Sequence, residues 1–139
     1  MKPKLRIASK SLLMPLAGML IALLSACATQ ETQQQIGLSD VLNRPGEKAL
    51  LAGIHLYEDA RYADAEKALA DSLEKGLAVK KDAALAHKYL AFIYCTSSRI
   101  DACKKSFRAA RANDPAFMLT KSESGHPLWG PVYRQVMAE

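Results

Sequence analysis

The stretch His87-Lys-Tyr-Leu-Ala-Phe-Ile-Tyr-Cys95, followed by Cys103-Lys-Lys-Ser-Phe-Arg-Ala-Ala110, decides the fold of this chain. In the first segment Leu90, Ala91 and Tyr94 share the three- and four-residue spacing of a helix face, and the second segment repeats that spacing. Neither segment alternates between apolar and polar residues as a half-buried strand does. We therefore predict two helices that pack against each other as a hairpin.

The same residues match a known helical repeat. The tetratricopeptide pattern places W-x2-L-G-x2-Y on one helix and A-x3-F on the next, followed by Pro, in a unit of about 34 residues. Here His87 stands at the Trp position, and the other positions hold Leu90, Ala91, Tyr94, Cys103, Phe107, Ala110 and Pro115. This resemblance predicts a tetratricopeptide-like hairpin.

A weaker copy of the pattern precedes it. One face of a first helix is predicted to hold Ala49, Ala52, Gly53 and Leu56, and one face of a second to hold Ala65, Ala68, Leu69 and Ser72. Ala65 and Cys103 are equivalent and 38 residues apart, which implies an insertion of about four residues near positions 76–81. The alternative is an unrelated four-helix domain. We expect an all-α fold with two tetratricopeptide-like hairpins.

The chain then continues into a tail with its own helix signal. Pro131 follows Gly130 and suits the first turn of a helix, whose apolar face would hold Val132, Tyr133, Val136 and Met137. Two repeats are fewer than the three that such arrays usually need for stability. We therefore predict a C-terminal capping helix.

The tail also holds the candidate partner-binding residues Trp129, Leu128 and Tyr133. Pro127 and Pro131 fix the backbone around them, so an aromatic anchor could be presented at little entropic cost. The alternative is that Trp129 folds back and covers the apolar end of the second hairpin.

The amino terminus has the features of an export signal. Lys2, Lys4, Arg6 and Lys10 precede an apolar run of 13 residues from Leu12 to Leu24, which is shorter than the ~20 residues of a membrane-spanning helix. The sequence Leu24-Ser-Ala-Cys27 resembles the lipobox of bacterial lipoproteins. That resemblance implies that residues 1–26 are a signal peptide that is removed, and that Cys27 is lipidated and anchors the chain to a membrane.

The mature chain would have a short tether before its folded domain. Residues 27–46 are rich in Gln and other polar residues and end in Pro45-Gly46, so we predict a lipidated N-terminus and flexible linker there. The helical domain is expected to span residues 47–139. Without the signal peptide, 15 basic residues face 14 acidic ones, and this near-neutral balance gives no indication of nucleic acid binding.

The mature domain has two cysteines, Cys95 and Cys103. An exported chain reaches an oxidising compartment, so a disulfide between them is expected. One alternative is a metal site, but no CxxC or HExxH motif occurs and His55, His87 and His126 are scattered. Another is that Cys103 fills a small-residue position as a buried thiol.

No catalytic motif is visible, so we predict neither an enzyme nor a cofactor, metal or small-molecule substrate. Helical repeats usually bind protein partners, which makes an adaptor role the expected one. Residues 47–75 carry seven acidic and four basic residues, whereas residues 80–111 carry eight basic and two acidic ones. This asymmetry either steers an acidic partner to the second hairpin or is the ordinary solvated face of an amphipathic helix.

Together, the lipobox, the segment from His87 to Cys95, the second Cys and Gly125-His-Pro-Leu-Trp-Gly-Pro-Val132 resemble one family. These are the small tetratricopeptide lipoproteins associated with bacterial type VI secretion systems, the TssQ-type family. The resemblance implies an accessory or scaffolding protein of the secretion apparatus, held in the outer membrane and facing the periplasm. Ala28 after the lipidated Cys agrees with outer-membrane sorting.

Two other classes remain open at this point. A pilotin-like or outer-membrane protein assembly lipoprotein can also carry helical hairpins behind a lipobox. A structural lipoprotein that contacts peptidoglycan is the other.

Overall fold

The computed structural model describes residues 44–139, and this part of the chain is built from helices alone. The helices are α1 (Pro45–Glu58), α2 (Tyr62–Lys75), α3 (Lys80–Thr96), α4 (Ile100–Asn113), α5 (Lys121–Ser124) and α6 (Gly130–Met137). The all-α prediction is confirmed for these residues. The predicted signal peptide, Cys27 and most of the predicted linker lie outside the described residues.

None of the helices between residues 44 and 139 has the length and apolar character needed to cross a membrane.

Helix α1 begins at Pro45, two residues before the predicted start of the helical domain at residue 47. Pro45 occupies the first turn, where its missing N–H costs nothing, so the Pro-Gly pair starts this helix instead of preceding it. Gly46 is buried against the backbone carbonyl of Gly76, an approach that a Cβ atom would prevent. The buried face also differs from the prediction, since Leu50 is buried and Ala52 is exposed.

The helices pair as two hairpins, α1 with α2 and α3 with α4, and α2 also packs against α3. The two turns are alike. Ala60 and Ser98, which are 38 residues apart, both have positive φ values, of 58° and 61°. The next N–H donates to an equivalent carbonyl in each case, Arg61 to Leu56 at 2.8 Å and Arg99 to Tyr94 at 2.8 Å.

Packing inside the hairpins repeats at the same interval. Ala65 and Cys103 are fully buried, and so are Leu69 and Phe107. At Gly53 an added Cβ would lie 2.7 Å from Cγ of Leu69, so the first two helices approach too closely for any side chain there. A small residue on one helix therefore admits a large one from its partner, as the sequence pattern predicts.

Helix α3 contributes to two apolar clusters. Ile93 packs with Leu50 and Leu69 of the first hairpin. Phe92, the preceding residue, packs with Phe107 of α4 and Trp129 of the tail. The two clusters therefore share one helix, which joins the hairpins into a continuous core.

The tail returns across the second hairpin. The Tyr133 hydroxyl accepts a hydrogen bond from the Leu119 N–H at 3.2 Å, and α6 packs against α4. Between Leu119 and α6 lies the one-turn helix α5, which the sequence analysis did not predict. Thr120 and Glu123 form a capping box at its start, which the Thr-x-x-Glu spacing could have indicated.

Candidate protein-binding surfaces

The structure separates the three candidate residues of the tail. Trp129 and Tyr133 are buried, with 8% and 9% of their surface exposed, whereas Leu128 is 52% exposed. The two aromatic side chains are thus part of the core in this structure and are not presented to a partner. This packing agrees with the alternative in which Trp129 covers the apolar end of the second hairpin.

Contacts on several sides hold Trp129. Its ring stacks on Phe92 with centroids 4.3 Å apart and on the His126 imidazole at 3.3 Å. Its indole Nε1 donates a hydrogen bond to the Glu123 carbonyl at 2.8 Å. Burial of a Trp requires a partner for its N–H, and α5 supplies one.

An ion pair joins the tail to α3 beside this ring. Lys88 Nζ lies 2.8 Å from Oε1 of Glu123, and both side chains are mostly buried. Burial would raise the pKa of the Glu123 carboxyl, but the hydrogen bonds from Lys88 and from the Thr120 N–H hold the pKa below its usual value. Lys88 also lies 5.0 Å from the centroid of the Tyr89 ring.

We expect this pair to make the docking of the tail sensitive to acid. A carboxyl whose pKa is lowered by folding stabilises the folded state above its unfolded pKa, and that contribution disappears as the pH falls through the folded value. Glu123→Gln should therefore cost about 1 to 2 kcal/mol at neutral pH. The difference from wild type should shrink below pH 4.5, the ordinary carboxyl value.

Thermal melts across this pH range test the expectation. Glu58→Gln is the control, because the Glu58 side chain is 61% exposed and pairs with the solvent-exposed His55. A Glu123→Gln deficit that stayed constant in acid would contradict the role assigned to the ion pair.

A surface of three tyrosines lies next to the tail. The Tyr57 ring is 5.0 Å from Tyr89 and 5.4 Å from Tyr62, measured between centroids. Burial, assisted by these neighbours and Glu123, raises the pKa of Tyr57 to about 12, so its hydroxyl stays protonated. Tyr62 is 46% exposed. We call these three residues the tyrosine surface; sequence reasoning missed it because each residue comes from a different helix.

The turn of the second hairpin is tied to the first hairpin. The Arg99 guanidinium makes two hydrogen bonds to the Glu66 carboxylate, at 2.8 Å and 2.7 Å, and stacks 4.5 Å above the Tyr94 ring. The hydrogen bond from Arg99 is the main cause of a lowered pKa at Glu66. Tyr62, Ile93 and this ion pair line a shallow cleft between α2 and α3. Arg99 and Glu66 are 33 residues apart in the sequence, so the spacing of residues along one helix could not predict this ion pair.

The basic face of α4 is partly occupied by the chain's own C-terminus. Arg108 makes two hydrogen bonds of 2.7 Å to the Glu139 carboxylate. Arg111 donates to the Val136 carbonyl at 3.3 Å, at the end of α6. Two of the four basic residues of α4, which are Lys104, Lys105, Arg108 and Arg111, thus contact the end of the chain. This favours the interpretation of the charge asymmetry as the ordinary solvated face of an amphipathic helix.

Cys95 and Cys103 form a disulfide, with their Cα atoms 5.2 Å apart. The bond links the end of α3 to the first turn of α4, where the hairpin alignment places the two residues. Both side chains are buried in the cluster that contains Phe107 and Trp129. The disulfide therefore closes the hairpin directly beneath the tail.

The histidines lie apart from one another. His55 is exposed, His126 stacks on Trp129, and His87 is half-buried, which lowers its pKa. Within residues 44–139 no three His, Cys, Asp or Glu side chains are grouped as metal ligands.

Comparison with protein-family models, with curated proteins and with solved structures found no match to this chain.

Proposed function

We propose that this chain is an outer-membrane lipoprotein that scaffolds a secretion apparatus of the type VI class through protein contacts. Cys27 would carry the lipid, residues 28–43 would form the tether, and two tetratricopeptide-like hairpins would present the binding surface. We assign it no enzymatic activity and no small-molecule substrate.

The repetition of the hairpin turn is the observation that carries the tetratricopeptide part of this proposal. Ala60 and Ser98 adopt the same left-handed backbone at an interval of 38 residues. The fully buried pairs Ala65 with Cys103 and Leu69 with Phe107 follow the same interval. Two unrelated hairpins that matched the sequence pattern by chance would have no reason to share both the turn conformation and the buried positions. The common interval of 38 residues therefore supports a repeated unit.

The tyrosine surface supports a role in protein binding. Tyrosine offers a large contact area with few rotatable bonds and a hydroxyl for hydrogen bonding, and it is enriched at binding hot spots. Tyr57, Tyr62 and Tyr89 bring three such side chains together at the junction of both hairpins. We therefore place the partner contact here, with the exposed Leu128 as a second candidate.

The lipid anchor is tested by metabolic labelling with a fatty-acid probe. We expect the wild-type protein to be labelled and Cys27→Ser to be unlabelled, because the thiol of Cys27 receives the lipid. The control is Cys95→Ser, which should retain the label. Equal labelling of the wild type and Cys27→Ser would refute the anchor.

The scaffolding role is tested by affinity capture of the lipidated protein from membranes. Recovery of components of a type VI secretion apparatus with the wild type, and their loss with Tyr62→Ala, is the expected result. Tyr62 is the appropriate position because it is the most exposed member of the tyrosine surface. Recovery of a secretin, a β-barrel assembly machine or peptidoglycan instead would favour one of the alternative lipoprotein classes.

A further inference from the structure

The linker between the hairpins lies beside the point where the chain enters the domain. The Glu47 carboxylate accepts a hydrogen bond from the Ala78 N–H at 3.1 Å and pairs with Arg44 at 3.7 Å. Gly46 packs on the carbonyl of Gly76. Glu47 is only 8% exposed, so this contact is built into the fold and fixes residues 76–79 next to Arg44.

This end of the domain exposes a large apolar side chain that is followed by two cations. Val79, the residue before α3, is 43% exposed. Lys80 and Lys81 follow it directly, and both are exposed. We call Arg44, Val79, Lys80 and Lys81 the tether end. An exposed apolar side chain next to lysines is typical of protein surfaces that bind at the boundary between lipid headgroups and acyl chains.

The length of the preceding chain brings a membrane to this end. Sixteen residues separate Cys27 from Arg44. As the tether of the proposed function, a chain of that length would have a root-mean-square span of about 22 Å. A domain of this size is roughly 30 Å across, so lipids around Cys27 lie closer to the tether end than to the turns at Ala60 and Ser98.

We propose that the tether end rests on the anionic lipid surface that holds the acyl chains of Cys27. This inference depends on the lipid anchor of the proposed function and adds to it an orientation. Lys80 and Lys81 contact lipid phosphates, and Val79 enters the headgroup boundary. The hairpin turns, with Tyr57 and Tyr62 next to the first of them, then face away from the membrane, where a protein partner can reach them.

Amide hydrogen exchange of the lipidated full-length mature protein tests this orientation. The protein is purified from membranes and reconstituted into vesicles of phosphatidylethanolamine alone or mixed with phosphatidylglycerol. The N–H groups of Lys80 and Lys81 are in the first turn of α3, where helices leave donors without intrahelical partners, so they should exchange quickly in water. We expect exchange of residues 79–81 to slow by at least roughly fivefold on the anionic vesicles, since each of the two lysines near such a surface favours the bound orientation by about that factor.

Two variants separate this surface from a general effect of charge. The change Lys80→Glu with Lys81→Glu should abolish the protection, whereas Lys104→Glu with Lys105→Glu on α4 should retain it. Equal exchange on both kinds of vesicle, or protection that appears only when a membrane protein is added, would overturn the proposal.

Flotation of the vesicles distinguishes a failure of the anchor from a failure of the orientation. A chain that does not float overturns both the lipid anchor and the orientation. A chain that floats with residues 79–81 unprotected overturns the orientation alone.

Discussion

Replacing Trp129 with Ala is expected to lower the free energy of unfolding by about 3 to 5 kcal/mol, as is typical for truncating a buried aromatic side chain. The indole stacks on Phe92 and on His126, and its N–H is bonded to the carbonyl of Glu123. Truncation leaves a cavity in the apolar cluster that Trp129 shares with Phe92, and it removes one of the hydrogen bonds that the Glu123 carbonyl accepts, another coming from the His126 N–H at 3.2 Å. In a domain of this size the melting temperature should fall by roughly 12 °C or more.

Leu128→Ala is the matched control for this change. Leu128 precedes Trp129 in the same segment but is 52% exposed, so its truncation should alter stability by less than about 0.5 kcal/mol. Thermal melts and membrane co-purification are measured together for both variants. An unchanged melt of Trp129→Ala with loss of a partner would show that the indole acts as an exposed anchor, contrary to its place in the structure.

Removal of the disulfide is expected to cost roughly 2 to 3 kcal/mol, because the bond closes a short loop and limits the unfolded chain. The Cys95 and Cys103 side chains are also buried beneath the tail, so reduction should loosen the site against which Trp129 packs. The variant carrying Cys95→Ala and Cys103→Ala should melt at the same temperature with and without reductant. The wild type should lose stability only when reduced.

Thiol alkylation of the denatured, lipidated protein checks the bond directly. We expect no free thiol in protein recovered from an oxidising compartment, since in the proposed lipoprotein the thiol of Cys27 carries the lipid and the other two cysteines are bridged. Two alkylated thiols per chain would contradict the disulfide, and Cys103 would then be a buried free thiol.

The spacing of apolar residues along the sequence predicted the helices of this fold. It could not predict surface features that depend on contacts between distant residues. The small and large positions Ala65, Leu69, Cys103 and Phe107 follow from helix periodicity, and all four are fully buried. Periodicity alone did not identify the buried face of α1, because the spacing that favours Ala52 fits Leu50 equally well.

The candidate site depended on contacts between distant parts of the sequence. Lys88 and Glu123 are 35 residues apart, and the tyrosine surface draws one residue from each of three helices. No spacing rule connects such residues, since the packing of the tail and hairpins brings them together. The burial of Trp129 could be stated from the sequence only as one of two alternatives, because the same residue type suits both a core and a binding surface.

The position of the last core residues, close to the end of the chain, has a consequence for the proposed export. Because Phe92 and Ile93 of α3 pack into different clusters, neither hairpin has a full set of neighbours without the other. The second cluster is completed only by Trp129 and Val136, close to the last residue of the chain. If the chain is exported from its amino terminus, as the proposed function requires, part of its apolar surface stays exposed until Trp129 and Val136 have crossed the membrane. Under that proposal, the packing of this cluster is completed after translocation.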